Sequence, residues 1–129
     1  MVAGQATRVG QLAHQQGNYA LAKARYREAL ALYRTFRNPT STARCLEGLA
    51  ATLCAEGRYA QTAHVCAAAT ALREQAQTPL PPAERGPFEQ VVATAKAALG
   101  EPAFAEQWTA GTALTQEEAI AYALSEASA

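Results

Sequence analysis

An all-α fold of repeated antiparallel helix pairs is what the sequence predicts, and three observations carry the expectation. The apolar half of the composition is dominated by alanine, with 33 Ala against 12 Leu, 5 Val and 1 Ile. That balance suits closely packed helices and is poor in the β-branched residues that sheets favour. Sliding the chain against itself by 40 residues places Gly17 on Gly57, Tyr19 on Tyr59, Ala29 on Ala69 and Leu32 on Leu72. After each Gly-x-Tyr, apolar residues recur three or four apart, the spacing of one helix face. At 129 residues the chain has the length of a single domain.

The elements follow in order. In the first unit, about residues 3–37, Ala6, Val9, Gly10 and Ala13 form a helical stripe that Gly17-Asn18 interrupts, as a left-handed residue does at a helix end. A second helix starts near Tyr19 and carries Ala22, Tyr26, Ala29, Leu30 and Tyr33 on one face. Asn38-Pro39-Thr40-Ser41 separates the units: the residue before proline avoids helix, and Ser or Thr can cap the next one. The second unit, about 40–77, repeats the plan with Leu46, Leu49, Ala50 and Leu53, a Gly57-Arg58 turn, then Tyr59, Ala63, Cys66, Ala69 and Leu72. Thr78-Pro79-Leu80-Pro81-Pro82 reads as an extended connector. A degenerate third pair is expected over about 82–111, with Phe88, Val91, Val92, Ala95 and Leu99, then Phe104 and Trp108. Thr115-Gln116-Glu117-Glu118 has the form of a capping box for a last helix over about 115–126, whose apolar side is Ala119, Ile120, Ala123 and Leu124. That side should be covered by the stack, with Phe104 and Trp108 as the expected surface beneath it.

Zero net charge conceals an asymmetry. Residues 1–44 carry seven basic groups and one acid, while the remainder carries four basic and ten acidic groups. Such a chain could attract an acidic partner or the acidic end of its own copy, a possible homodimer. The alternative is a solvated surface, because Lys23, Arg27 and Arg34 share one outward stripe of one helix. No apolar run is long enough for a membrane span, and the N-terminus lacks a signal-peptide layout. A cytoplasmic chain is the expectation, and the irregular spacing of Cys45, Cys54 and Cys66 fits a reducing compartment without disulfides.

These residues resemble the tetratricopeptide repeat: small residues where paired helices cross (Gly10, Ala50), a turn Gly followed by an aromatic (Gly17 with Tyr19, Gly57 with Tyr59), and a small residue early in the second helix (Ala22). Thr62 and Cys66 depart from that pattern, Cys66 where Tyr26 fits. More narrowly, Cys-Leu-Glu-Gly-Leu-Ala, Ala-Leu-Arg-Glu, Leu-Pro-Pro-Ala-Glu-Arg and Leu-Thr-Gln-Glu-Glu-Ala resemble the C-terminal repeat region of large bacterial LuxR-type ATPase transcriptional regulators. The phosphate loop such a regulator needs is not in this sequence, so a stand-alone relative or a fragment is expected. The resemblance implies a right-handed superhelix of about three antiparallel pairs with a C-terminal capping helix. It also implies a protein–protein interaction module that holds a partner segment in a concave groove lined by first helices.

In that register the groove presents Arg8, Gln11, His14 and Gln15 from the first unit and Arg44, Glu47, Ala51 and Cys54 from the second, with Gln90 and Thr94 beyond them. Family members that grip a C-terminal carboxylate use Lys and Asn where Thr7, Gln11 and Gly48 stand here, so that clamp is not expected. Toward Ala51, Cys54 and Val91 the groove turns apolar. No enzyme, cofactor or metal is expected. The chain has no Asp to orient a catalytic base, the cysteines show no paired C-x-x-C spacing, and His64 and Cys66, two apart on a helix, diverge. The alternative reading is a nucleic-acid-associated helical domain in which the basic N-terminal third tracks phosphates and Tyr19, Tyr26 and Tyr33 stack on bases.

Overall fold

The computed structural model describes residues 2–125. It contains α1 (Ala3–Gln15), α2 (Tyr19–Phe36), α3 (Pro39–Ala55), α4 (Tyr59–Ala76), α5 (Pro82–Leu99), α6 (Glu101–Thr112) and α7 (Gln116–Ser125). No strand occurs among the described residues. The result is an all-α repeat stack in which α1 packs along α2, α3 along α4, and α2 joins the two pairs.

The 40-residue period is written in the backbone. Gly17 and Gly57 both take φ 78°, which places α2 and α4 at equivalent starts. Both helices end on a non-glycine residue in the left-handed region, Arg37 at φ 37° and Gln77 at φ 56°. The α4 end is closed as such caps usually are: Thr78 N–H donates to the Arg73 carbonyl at 3.0 Å and Gln77 N–H to that of Glu74 at 3.2 Å. Between the units the capping residue is Asn38, not Ser or Thr, because Pro39 itself is the first helical residue and Asn38 Oδ1 accepts from Ser41 N–H at 3.1 Å. The capping box of α7 forms as the sequence predicts, with Thr115 N–H donating to Glu118 Oε1 at 2.9 Å and Glu118 N–H to Thr115 Oγ1 at 3.1 Å.

Leu30, Leu46, Leu49 and Leu53 are the fully buried anchors of the first two pairs. The Tyr26 ring, 2% exposed, lies among them. A Cβ added to Gly48 would stand 2.5 Å from that ring, so glycine there makes room for the tyrosine. Cys66, a far smaller side chain at the equivalent place in the second unit, is also fully buried.

The third pair departs from this plan. Gly100, at φ 85° and ψ 158°, ends α5 and caps α6 in a conformation available to glycine alone. The sharp corner sends α6 along α4, on which it packs far more than on α5. Gly111 permits the close approach, since a Cβ there would meet the His64 carbonyl oxygen. Helix α7 then turns back onto α2, α3 and α4, not onto Phe104 and Trp108 as the sequence suggests. Its Tyr122 ring stacks on His64 at 3.9 Å, and Gln116 donates to Thr42 Oγ1 at 3.3 Å. The cause is positional: the end of α6 is pinned to α4, so the short turn after it delivers α7 to the helices beside α4. Phe104 and Trp108 stack on each other instead, with centroids 5.5 Å apart.

Candidate functional site

Residues of α1, α3 and α5 line a cleft with two adjoining parts. The polar part, about 300 Å³, is lined by Thr7, Arg8 and Gln11 of α1, Tyr33 of α2, and Ser41 and Arg44 of α3, with Glu84 of α5 at its edge. The neighbouring part, about 170 Å³, shares Gln11, Arg44 and Glu84 and continues over Ala51, Leu80, Pro87, Phe88 and Val91. Residues spaced three or four apart on two parallel first helices bring Arg8, Gln11 and Arg44 together across 36 positions of sequence. Both arginines are exposed, and no ion pair holds either of them among the described residues. They can therefore offer forked N–H donors to a carboxylate.

The other residues expected in the groove fall into different surroundings. Glu47 lines the cleft, but its carboxylate is taken by Arg73, whose Nε and a terminal nitrogen donate to it at 2.5 and 2.9 Å. Arg73 also donates to the Thr78 carbonyl at 3.0 Å and is only 6% exposed. The hydrogen bonds to Glu47 hold this guanidinium firmly protonated. His14 is half-buried outside the cleft, with Nδ1 2.9 Å from Thr52 Oγ1 and its ring tilted over Tyr19. Burial pushes its pKa below the ordinary 6.5. Gln15 is exposed and lines neither part of the cleft. Cys54 is half-buried with Sγ 4.0 Å from the Val91 carbonyl, and burial raises its thiol pKa, which is the opposite of what an activated thiolate needs. Gln90 and Thr94 bond to one another outside the cleft.

Two residues that shape the site escape a reading of the sequence. Arg73 sits 26 positions from Glu47, a pairing that only the stacking of α4 on α3 creates. Glu84 reaches the cleft because α5 packs along α3 with its first turn beside Arg44, and it is the acid that shares the polar part with the two arginines. The one hint was its place in the first turn of a helix expected to follow the connector.

The charge asymmetry is partly consumed inside the chain. Lys23 pairs with Glu56 at 2.8 Å, and Arg37 approaches Glu117 at 4.0 Å. The basic stripe on α2 is thus not uniformly solvated: Lys23 is ion-paired and Arg27 Nε donates to the Ala123 carbonyl of α7 at 3.4 Å, while Arg34 remains exposed. Tyr26 is buried, and Tyr19 and Tyr33 are half-buried. The three therefore do not form an open stacking platform of the kind a nucleic-acid surface uses.

All three cysteines are free thiols, and burial raises the pKa of each, Cys45 to about 11. Among the described residues no group of three His, Cys, Asp or Glu side chains could hold a metal ion, and no helix is long and apolar enough to cross a membrane.

Comparison with known proteins agrees with this geometry. The family model described as tetratricopeptide repeat matches residues 3–76, which span α1 to α4. Neither a curated protein nor a solved structure matches the chain. With helix pairs of equal period, a shared turn glycine and a family match over more than half its length, this chain belongs to the tetratricopeptide repeat family, a scaffold that generally mediates protein–protein interaction.

Proposed function

We propose that the cleft over α1, α3 and α5 binds a segment of a partner protein that is acidic at one end and apolar at the other. The observation that carries this reading is the convergence of Arg8 and Arg44, both without an ionic partner among the described residues, on one concavity with the neutral donors Gln11, Tyr33 and Ser41. The apolar continuation over Ala51, Pro87, Phe88 and Val91 supports the second half of the segment. No catalysis belongs to this reading, because the scaffold is non-catalytic in its family and the cleft holds no activated nucleophile. The wider setting we propose is a cytoplasmic signalling or transcriptional regulator of bacterial type, supported by the resemblance of the strings around Cys45, Leu72, Leu80 and Leu114 to such proteins.

The test uses fluorescein-labelled amphipathic peptides with a Glu-rich and a Leu-rich half, followed by polarisation. The change Arg8→Ala with Arg44→Ala is expected to cost roughly 1.5–3 kcal/mol per lost charged contact, before non-additivity. Glu84→Gln should tighten binding, since it removes the acid that shares the polar part with the arginines. Unchanged affinity in the double variant, with the fold intact by circular dichroism, places the binding surface elsewhere.

A further inference from the structure

The departure of α6 from α5 leaves a second space, which adjoins the cleft through Glu47, Leu80 and Phe88. A cavity of about 660 Å³ opens between α4, α5 and α6. It uses another face of α5, that of Arg85, Glu89, Val92, Ala93 and Lys96, and shares only Phe88 of that helix with the cleft. Its volume falls in the range of roughly 300–1,000 Å³ that accommodates drug-sized ligands. The walls are mainly apolar, with Pro79, Leu80, Phe88, Val92 and Trp108 as the bulky contributors.

The polar groups restrict what could enter. Arg73 is the most buried of the lining residues, and its bonds to Glu47 and the Thr78 carbonyl do not use all the N–H donors a guanidinium carries. An acceptor on a guest could reach those that remain. Its charge, however, is already neutralised by Glu47. Lys96 is held by Glu101 at 3.0 Å and lies 5.8 Å from the Phe104 ring centre, and Arg85 donates to the Leu80 carbonyl at 3.1 Å. Glu74 and Glu89 line the same cavity with no ion pair among the described residues. Arg85 is also without an ion pair there, so two unpaired acids stand against one unpaired base, and a carboxylate or sulfonate would meet a net negative charge that an uncharged acceptor avoids.

The geometry points to a small-molecule site here, taking a neutral aromatic compound of drug-like size that carries a carbonyl acceptor. The protein holds its own reporter, because Trp108, its sole tryptophan, lines the cavity.

The experiment titrates the full chain into a fixed low concentration of 6-propionyl-2-dimethylaminonaphthalene, a neutral aromatic ketone, and reads energy transfer from Trp108. Two comparators are run beside it: 2-dimethylaminonaphthalene, which lacks the ketone, and the anionic 1-anilinonaphthalene-8-sulfonate. Saturable transfer is expected for the ketone, with the ketone-free amine weaker by about fivefold or more for the lost hydrogen bond to a charged group. The sulfonate should bind more weakly than the ketone. Ala93→Phe fills the cavity from an exposed position on α5 and should lower ketone affinity by about tenfold or more with the melting curve unchanged. The variant with Arg8→Ala and Arg44→Ala should bind the ketone normally, which separates this site from the peptide cleft. Absence of saturable transfer, equal affinity for all three probes, or indifference to Ala93→Phe would overturn the proposal. So would ketone binding that tracks self-association in sedimentation, because a second copy would then occupy the cavity.

Discussion

Helices α4 and α5 have the same length, 18 residues, and opposite fates: α4 buries ten of its residues and α5 buries Ala95 alone. Side-chain size does not explain the difference. Helix α5 carries Phe88, Val91, Val92 and Leu99, whereas the buried face of α4 is largely alanine. What separates them is neighbours. Helix α4 is packed against α3 and α6, with α5 and α7 at its flanks, while α5 rests mainly on α4 and touches α3 and α6 only lightly. In a stacked-pair architecture burial is conferred by the next element, and α5 lacks its full complement because Gly100 directs α6 elsewhere. The two candidate binding spaces lie on either side of this under-covered helix.

That contrast can be broken most severely in the well-packed half. Leu49→Ala, at 1% exposure, is expected to cost about 2–5 kcal/mol in denaturant unfolding, whereas Val92→Ala on half-buried α5 should cost under about 1 kcal/mol. Comparable losses for both would show that α5 is as tightly packed as α3. Next in size is Gly111→Ala. A Cβ there would run into the His64 carbonyl oxygen, so α6 must move from α4 at a cost of about 1–3 kcal/mol. The movement should appear as a changed emission maximum of Trp108.

Smaller effects sharpen the equivalence of the first two units. Gln77→Gly relieves a left-handed conformation that a side chain disfavours, and a gain of about 1 kcal/mol or less is expected after the extra freedom of the unfolded chain is counted. A loss of stability would mean that the Gln77 side chain contributes more than its backbone costs. The smallest effect is a pH dependence. Burial holds His14 below its ordinary pKa of 6.5 in the folded state, so the unfolded chain takes up the proton first as pH falls. Stability should therefore decline as pH drops below about 6.5, and His14→Gln should flatten that part of the melting-temperature profile. A profile unchanged by the substitution would remove His14 as its source.

What could be read from the sequence was whatever is local or periodic. Gly17 and Gly57, the helix starts at Tyr19 and Tyr59 and the capping box at Thr115 all follow from spacing, whereas the expectation that Arg8 and Arg44 share one groove comes from the register of the repeat that the chain resembles. The pairing of Glu47 with Arg73 could not be read, because it depends on which face of α4 meets α3. The seat of Tyr26 against Gly48 was hidden for a related reason, since a glycine inside a helix does not reveal which ring it makes room for. The course of α6 and α7 was missed because their apolar stripes fit several surfaces, and the deciding features are Gly100 torsions and the close approach at Gly111.

Native-state hydrogen exchange, resolved helix by helix, tests most directly the claim that burial follows neighbours and leaves α5 under-covered. Amides in the central turns of α3 and α4 should exchange only through global unfolding, while those of α5 open independently at a lower free energy. If α5 instead exchanges with the same free energy as α3 and α4, the chain is one uniformly covered cooperative unit and the contrast between its two halves is wrong.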